Sequence, residues 1–162
     1  MKKTNKTRFI VQSSFIAAIY VALTLITNLF GLASGVIQIR FSEALTILPA
    51  FLPSAVPGLF VGCLISNLLA GGIALDIIFG SLATLIGAFF THLLKNHKLL
   101  APIPPIISNT IIIPFILSYA YNFEGAVWYF MITVGIGEII SCGFLGYALM
   151  FALRRFPGRF LR

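Results

Sequence analysis

FIVQSSFIAAIYVALTLITNLF, residues Phe9–Phe30, carries no charged side chain from end to end. About 20 predominantly apolar residues suffice for an α-helix to cross the hydrocarbon core of a bilayer, so this stretch is expected to span a membrane. Lys2, Lys3, Lys6 and Arg8 stand immediately before it, and basic residues beside a span hold their end of it on the cytoplasmic side. Lys95 and Lys98 occupy the middle loop, and Arg154, Arg155, Arg159 and Arg162 close the chain. With six crossings, ten of the eleven basic residues face one side. Arg40 alone lies opposite, together with three of the four acids, which points to a polar site opening outward.

The 162 residues are 59% apolar and only 9% charged, far too little charge to cover a soluble globule of this size. An all-α integral membrane protein is expected, with spans at about 9–30, 41–52, 58–70, 76–94, 102–121 and 126–153. These form a single transmembrane domain over 1–162 with both termini cytoplasmic. Six spans use most of the length and leave no room for a soluble catalytic domain. The net charge of +7 would suit nucleic acid, but the basic residues cluster at span ends with no aromatic interleaving. Topology and anionic lipid account for them, and no nucleic-acid partner is expected. A cleavable secretory signal ending near Ala33 and Ser34 is the competing reading of the first run, which is longer than the ~7–15 apolar residues of such signals. Cys63 and Cys142 lack a C-x-x-C or His companion and read as small buried side chains.

Breakers divide the chain. Gly31, Ser34 and Gly35 mark an outer loop, Gly71 and Gly72 a second, and Asn122, Phe123, Glu124 and Gly125 the last. Pro49, Pro53 and Pro57 crowd the inner turn, and Pro102, Pro104 and Pro105 open the fifth helix. Pro49 cannot donate to a helical ladder, so the segment 41–52 is not expected to be straight. Small residues recur every four positions at Gly58, Gly62, Ser66 and Ala70, and again at Gly80, Thr84 and Ala88, as ridges for close helix packing. Ser14, Ala18 and Ala22, with Ala17 beside them, form a third ridge on the first helix. That smooth face either packs internally or docks another subunit.

Polar residues inside apolar helices carry the functional signal. Glu138 lies well inside the last helix, where a carboxylate is costly and marks a functional site by default; ligand contact competes with a structural bond to Asn109. Glu43 opens the second segment, where the helix dipole favours an acid, and Arg40 three residues earlier is within reach for an ion pair. Asp76 reads equally as a ligand contact and as the N-cap of the fourth helix. Asn67 and Asn109 either bridge helices or touch ligand. Trp128 is an interfacial anchor or, with Tyr119, Tyr121 and Tyr129, a flat surface for a ring. Acids and amides set against one Arg suit a ligand rich in donors or carrying positive charge, such as a heteroaromatic base.

No phosphate-binding loop, zinc-protease motif, nucleophile elbow or paired metal ligands occur in the sequence, so no cofactor, metal or energy source is expected within it. His92 and His97 sit beside Lys95 and Lys98 at the inner edge and read as interfacial. A proton-coupled carrier working through Glu138 lacks the internal repeat of many secondary carriers. A small intramembrane enzyme or scaffold using Glu138 is the alternative from another class.

The run QIRFSEALTILP, Gln38–Pro49, strongly resembles the QueT family of queuosine-precursor transporters, substrate-binding (S) subunits of energy-coupling factor (ECF) transporters. GCLISNLL (Gly62–Leu69), LDIIFGSLAT (Leu75–Thr84) and Gly137-Glu138 agree with it. The resemblance implies an S-component bundle of six helices that captures a micronutrient outside. Its implied partners are a transmembrane coupling subunit and two cytoplasmic ATPases, and its implied ligand is a deazaguanine bearing an aminomethyl or nitrile group. The family's Ala-x-x-x-Ala docking motif maps to Ala18 and Ala22. Given such a ligand, Glu138 or Glu43 suits the adjacent N–H donors of a guanine-like edge, Arg40 or an Asn amide the ring carbonyl, Asp76 an aminomethyl cation, and Trp128 or a Tyr the ring face. The same role for a flavin or thiamine precursor is the alternative within the class.

Overall fold

The structure is a computed structural model describing residues 6–32, 37–119 and 126–155. Lys2, Lys3, Ala33, Ser34, Gly35, Tyr121, the loop 122–125, Arg159 and Arg162 lie outside the described residues. Among the described residues every regular element is a helix: α1 (Lys6–Leu29), α2 (Ala55–Leu69), α3 (Ala74–Leu93), α4 (Ile103–Tyr119), α5 (Val127–Glu138) and α6 (Gly146–Arg155). Four stretches are long and apolar enough to cross a membrane, Lys6–Leu29, Ala74–Leu93, Lys98–Tyr119 and Val127–Arg155, while Ala55–Leu69 is apolar but shorter. Sequential helices pack on one another, α1 on α2, α2 on α3, α3 on α4 and α4 on α5. Large apolar side chains such as Phe15, Phe89, Ile107 and Phe144 point outward, as lipid requires.

The segment 41–52 differs from its expected form. It is a ten-residue 3₁₀ helix, Phe41–Ala50, which at about 2.0 Å per residue measures roughly 20 Å against a ~30 Å hydrocarbon core. Ser42, Glu43, Ala44, Leu45, Thr46, Ile47, Pro49 and Ala50 are all buried, and the helix touches α1, α2, α3 and α6. It is a strut inside the bundle, not a lipid-facing span. Pro49 removes one backbone donor and clashes with a regular α-turn, and the tighter coil carries the segment across the interior with its polar side chains bonded to neighbours.

The last long helix is also irregular. A π-helical turn, Ile139–Leu145, joins α5 to α6 and packs on the 3₁₀ helix. At the inner end, His92 Nδ1 lies 2.9 Å from the Pro49 carbonyl oxygen and the Lys98 ammonium stands over the Phe51 ring at 4.4 Å, tying the end of the 3₁₀ helix to α3 and the following loop.

The small-residue ridges sort into two kinds. A Cβ on Gly62 would come within 2.8 Å of Tyr20 Cβ and 3.1 Å of Ala17 Cα, so only glycine allows α1 and α2 to meet this closely. Gly58 and Ser66 are buried on the same ridge, whereas Ala70 is exposed beyond the helix end. Gly80, Thr84 and Ala88 are buried along α3. On α1, Ala17 faces inward against Gly62. Ser14, Ala18 and Ala22 are exposed on the opposite side.

Candidate functional site

Helix α1 turns a stripe of hydroxyls toward the 3₁₀ helix, because Tyr20, Thr24 and Thr27 recur at four- and three-residue spacing on one face. All three are buried. The Tyr20 hydroxyl donates to Glu43 Oε1. Thr24 Oγ1 donates to Ser42 Oγ at 2.8 Å, and the Phe41 amide donates to Thr27 Oγ1 at 3.1 Å. Arg40, in extended conformation, is the N-cap of the 3₁₀ helix, and its own amide donates to Ser141 Oγ of the π turn at 3.0 Å. The segment carrying Glu43 is thus fixed from two sides.

Glu138 ends α5 and is 9% exposed; Glu43 is 1% exposed. Asn109 Nδ2 of α4 donates to Glu138 Oε1 at 2.9 Å. The Cys142 thiol donates to Glu138 Oε2 at 3.0 Å and lies 3.9 Å from Glu43 Oε2. One oxygen of each acid and the sulfur all fall within 4.8 Å of one another. Two carboxylate charges at that spacing repel by about 3 kcal/mol at an effective dielectric constant of ~20. The donors Tyr20, Asn109 and Cys142 offset part of this, and N–H donors or a positive charge on a ligand would offset more. By distance alone, Glu43, Glu138 and Cys142 could hold a small cation; each is already hydrogen-bonded within the protein.

A cleft opens on these groups. Gln38, Arg40, Glu43, Thr84, Asn109 and Glu138 give its polar lining, Gly80, Ile113 and Val134 the remainder, and the cavity among them is about 20 Å³, room for roughly one water. Gly137 makes its shape possible, because a Cβ there would run into the Gln38 carbonyl oxygen.

The structure therefore brings Glu138, Glu43, Arg40 and Asn109 together. It does not form the Arg40–Glu43 ion pair that three-residue spacing suggested. Among the described residues no carboxylate lies within 4.0 Å of the Arg40 guanidinium, and Glu43 is held by Tyr20 instead, since an extended Arg40 feeds a 3₁₀ rather than an α-helical turn. Asn67 is buried between α2 and α3, with Nδ2 at 3.6 Å from Cys63 Sγ and 3.5 Å from the Asp76 carbonyl oxygen, as a helix bridge. Asp76, half-buried in the first turn of α3, adjoins the cleft through Gly80 without lining it. Trp128 is 64% exposed, meets Tyr129 edge-on at 6.5 Å and is not among the residues that line the cleft. Tyr119 likewise points outward, stacked on Phe115. Sequence reasoning missed Tyr20, Gln38, Thr84, Ser141 and Cys142. The hydroxyl spacing on α1, and the single helical turn from Glu138 to Cys142, were signals that could have found two of them.

The Queuosine precursor transporter QueT of Lactococcus lactis subsp. cremoris (strain MG1363) is 38% identical over 84 residues, which is 52% of this chain and 49% of that protein. The matched stretch thus spans about half the length of that relative. No solved structure matches the chain. The family model described as QueT transporter matches residues 10–155, nearly the whole apolar region, and with it the chain belongs to the QueT transporter family, whose members are transporters and not enzymes.

Proposed function

We propose that this chain is the substrate-binding subunit of an ECF-type importer that captures a queuosine precursor, a deazaguanine base, from outside. A transmembrane coupling subunit and two cytoplasmic ATPases then drive its delivery inward. The observation that carries this reading is the convergence of Glu43, Glu138 and Asn109, with Arg40 beside them, on one cleft inside an apolar helical bundle. A guanine-like edge presents adjacent N–H donors, and paired carboxylate oxygens accept them in parallel. Arg40 and Gln38 supply donors for the ring carbonyl. In this reading Asp76, beyond Gly80, meets an aminomethyl substituent. The name of the Lactococcus relative supports the substrate class.

In this reading the helical segments form one bundle in the cell membrane with both termini cytoplasmic, as the basic clusters favour. The exposed ridge Ser14, Ala18, Ala22 meets the coupling subunit. The test is copurification: protein extracted in mild detergent from cells supplied with precursor should yield a deazaguanine by mass spectrometry. A different heterocycle would reassign the substrate, and repeated absence of ligand together with no binding of added deazaguanine would reject the reading.

A further inference from the structure

We propose that Cys142 is a positioning residue of the substrate site, which presents Glu138 to the ligand and keeps it apart from Glu43. This rests on the function proposed above. The thiol is fully buried and does not line the cleft; it lies behind the acids. Its sulfur reaches both carboxylates, at 3.0 Å from Glu138 Oε2 and 3.9 Å from Glu43 Oε2. The Thr46 hydroxyl, which donates to the Glu43 carbonyl at 2.6 Å, packs 3.4 Å from the same sulfur.

A thiol carries one proton, so it can donate to one acid at a time, and the distances assign it to Glu138. With Oε2 bound by Cys142 and Oε1 by Asn109, the Glu138 carboxyl plane is set before ligand arrives. That preorganisation lowers the ordering cost of binding. The π turn makes the placement possible. It starts directly after Glu138 and directs Ser141 and Cys142 to the 3₁₀ helix together, where Ser141 accepts the Arg40 amide. π-turns inside α-helices occur frequently at functional sites.

Two measurements on the full chain in detergent test this. The first needs no ligand: the infrared S–H stretch of Cys142, assigned by removing each cysteine in turn, should move to the weakly bonded position in Glu138→Gln. An unmoved band would overturn the proposal. The second is calorimetric affinity for an aminomethyl-deazaguanine. Cys142→Ala should weaken binding about tenfold, the loss of one hydrogen bond to a charged group, and Cys142→Ser, which keeps a donor, should recover to within about threefold of wild type by the same measure. Equal affinities for Ala and Ser, or wild-type affinity for Ala, would overturn it, since a space-filling role favours the apolar replacement. Should the wild-type chain bind no deazaguanine, the substrate reading falls by itself, and the S–H band still decides whether the thiol holds Glu138.

Discussion

Replacing Glu138 by Gln removes one charge while keeping nearly the same shape. The buried carboxylate has both oxygens occupied, Oε1 by the Asn109 amide at 2.9 Å and Oε2 by the Cys142 thiol at 3.0 Å. In the variant, the amide oxygen continues to accept from Asn109, and the new NH₂ turns toward Cys142 and the cleft. A donor then stands where a ligand N–H must find an acceptor. The loss is that of a charge-assisted hydrogen bond, roughly 1.5–3 kcal/mol, or about 10- to 150-fold in affinity at 1.4 kcal/mol per decade. Stability should move the other way or not at all, because a buried charge within 4.8 Å of the Glu43 site has been removed. Calorimetry with an aminomethyl-deazaguanine and a thermal melt of the same preparation measure the two effects separately. Wild-type affinity in a folded variant would remove Glu138 from the site. An affinity loss accompanied by an equal loss of stability would make it a structural partner of Asn109.

Three further outcomes follow from the packing. Tyr20→Phe strips one donor from Glu43, which is 1% exposed, and should destabilise the chain by about 1–3 kcal/mol; an unchanged melt would show that Tyr20 does not hold that acid. Gly137→Ala should impair both binding and stability, because its Cβ meets the Gln38 carbonyl, whereas Gly143→Ala, whose nearest neighbour is Ile139 Cγ2 at 3.9 Å, should melt at or above wild type through its better helix propensity. Equal behaviour of the two alanines would refute the close approach of the π-turn helix and the Gln38 backbone. Ala18→Leu with Ala22→Leu should leave ligand affinity of the isolated subunit unchanged and abolish uptake and copurification with the coupling subunit; normal uptake would place the docking surface elsewhere.

The long helices were legible because length, hydropathy and glycine or proline breaks are local properties. The two irregular helices were not. Pro49 announced a disturbance in 41–52, but a buried 3₁₀ strut is decided by what surrounds it: Tyr20, Thr24 and Thr27 on α1 and Ser141 on the π turn. The individual acids could be singled out by their cost in lipid, yet Glu43 and Glu138 are far apart in sequence and no spacing relates them. Trp128 kept two readings because α5 is almost wholly apolar up to Glu138, and a helix without a polar stripe does not declare its inner face. On α1 the small residues alone left the face open; the structure turns the hydroxyls of Tyr20, Thr24 and Thr27 inward and leaves Ser14, Ala18 and Ala22 exposed. Non-helical or distorted backbone at membrane depth is tolerated only where protein buries it or where it lines a cavity. Here the 3₁₀ helix bears Glu43 and the π turn begins at Glu138, so the two buried departures from α-helical geometry, unlike the exposed 3₁₀ turn Lys98–Leu100, fall on the two acids that face the cleft. That coincidence ties the irregular backbone to the site, since elsewhere in the bundle a regular helix would have satisfied the same hydrogen bonds at no cost.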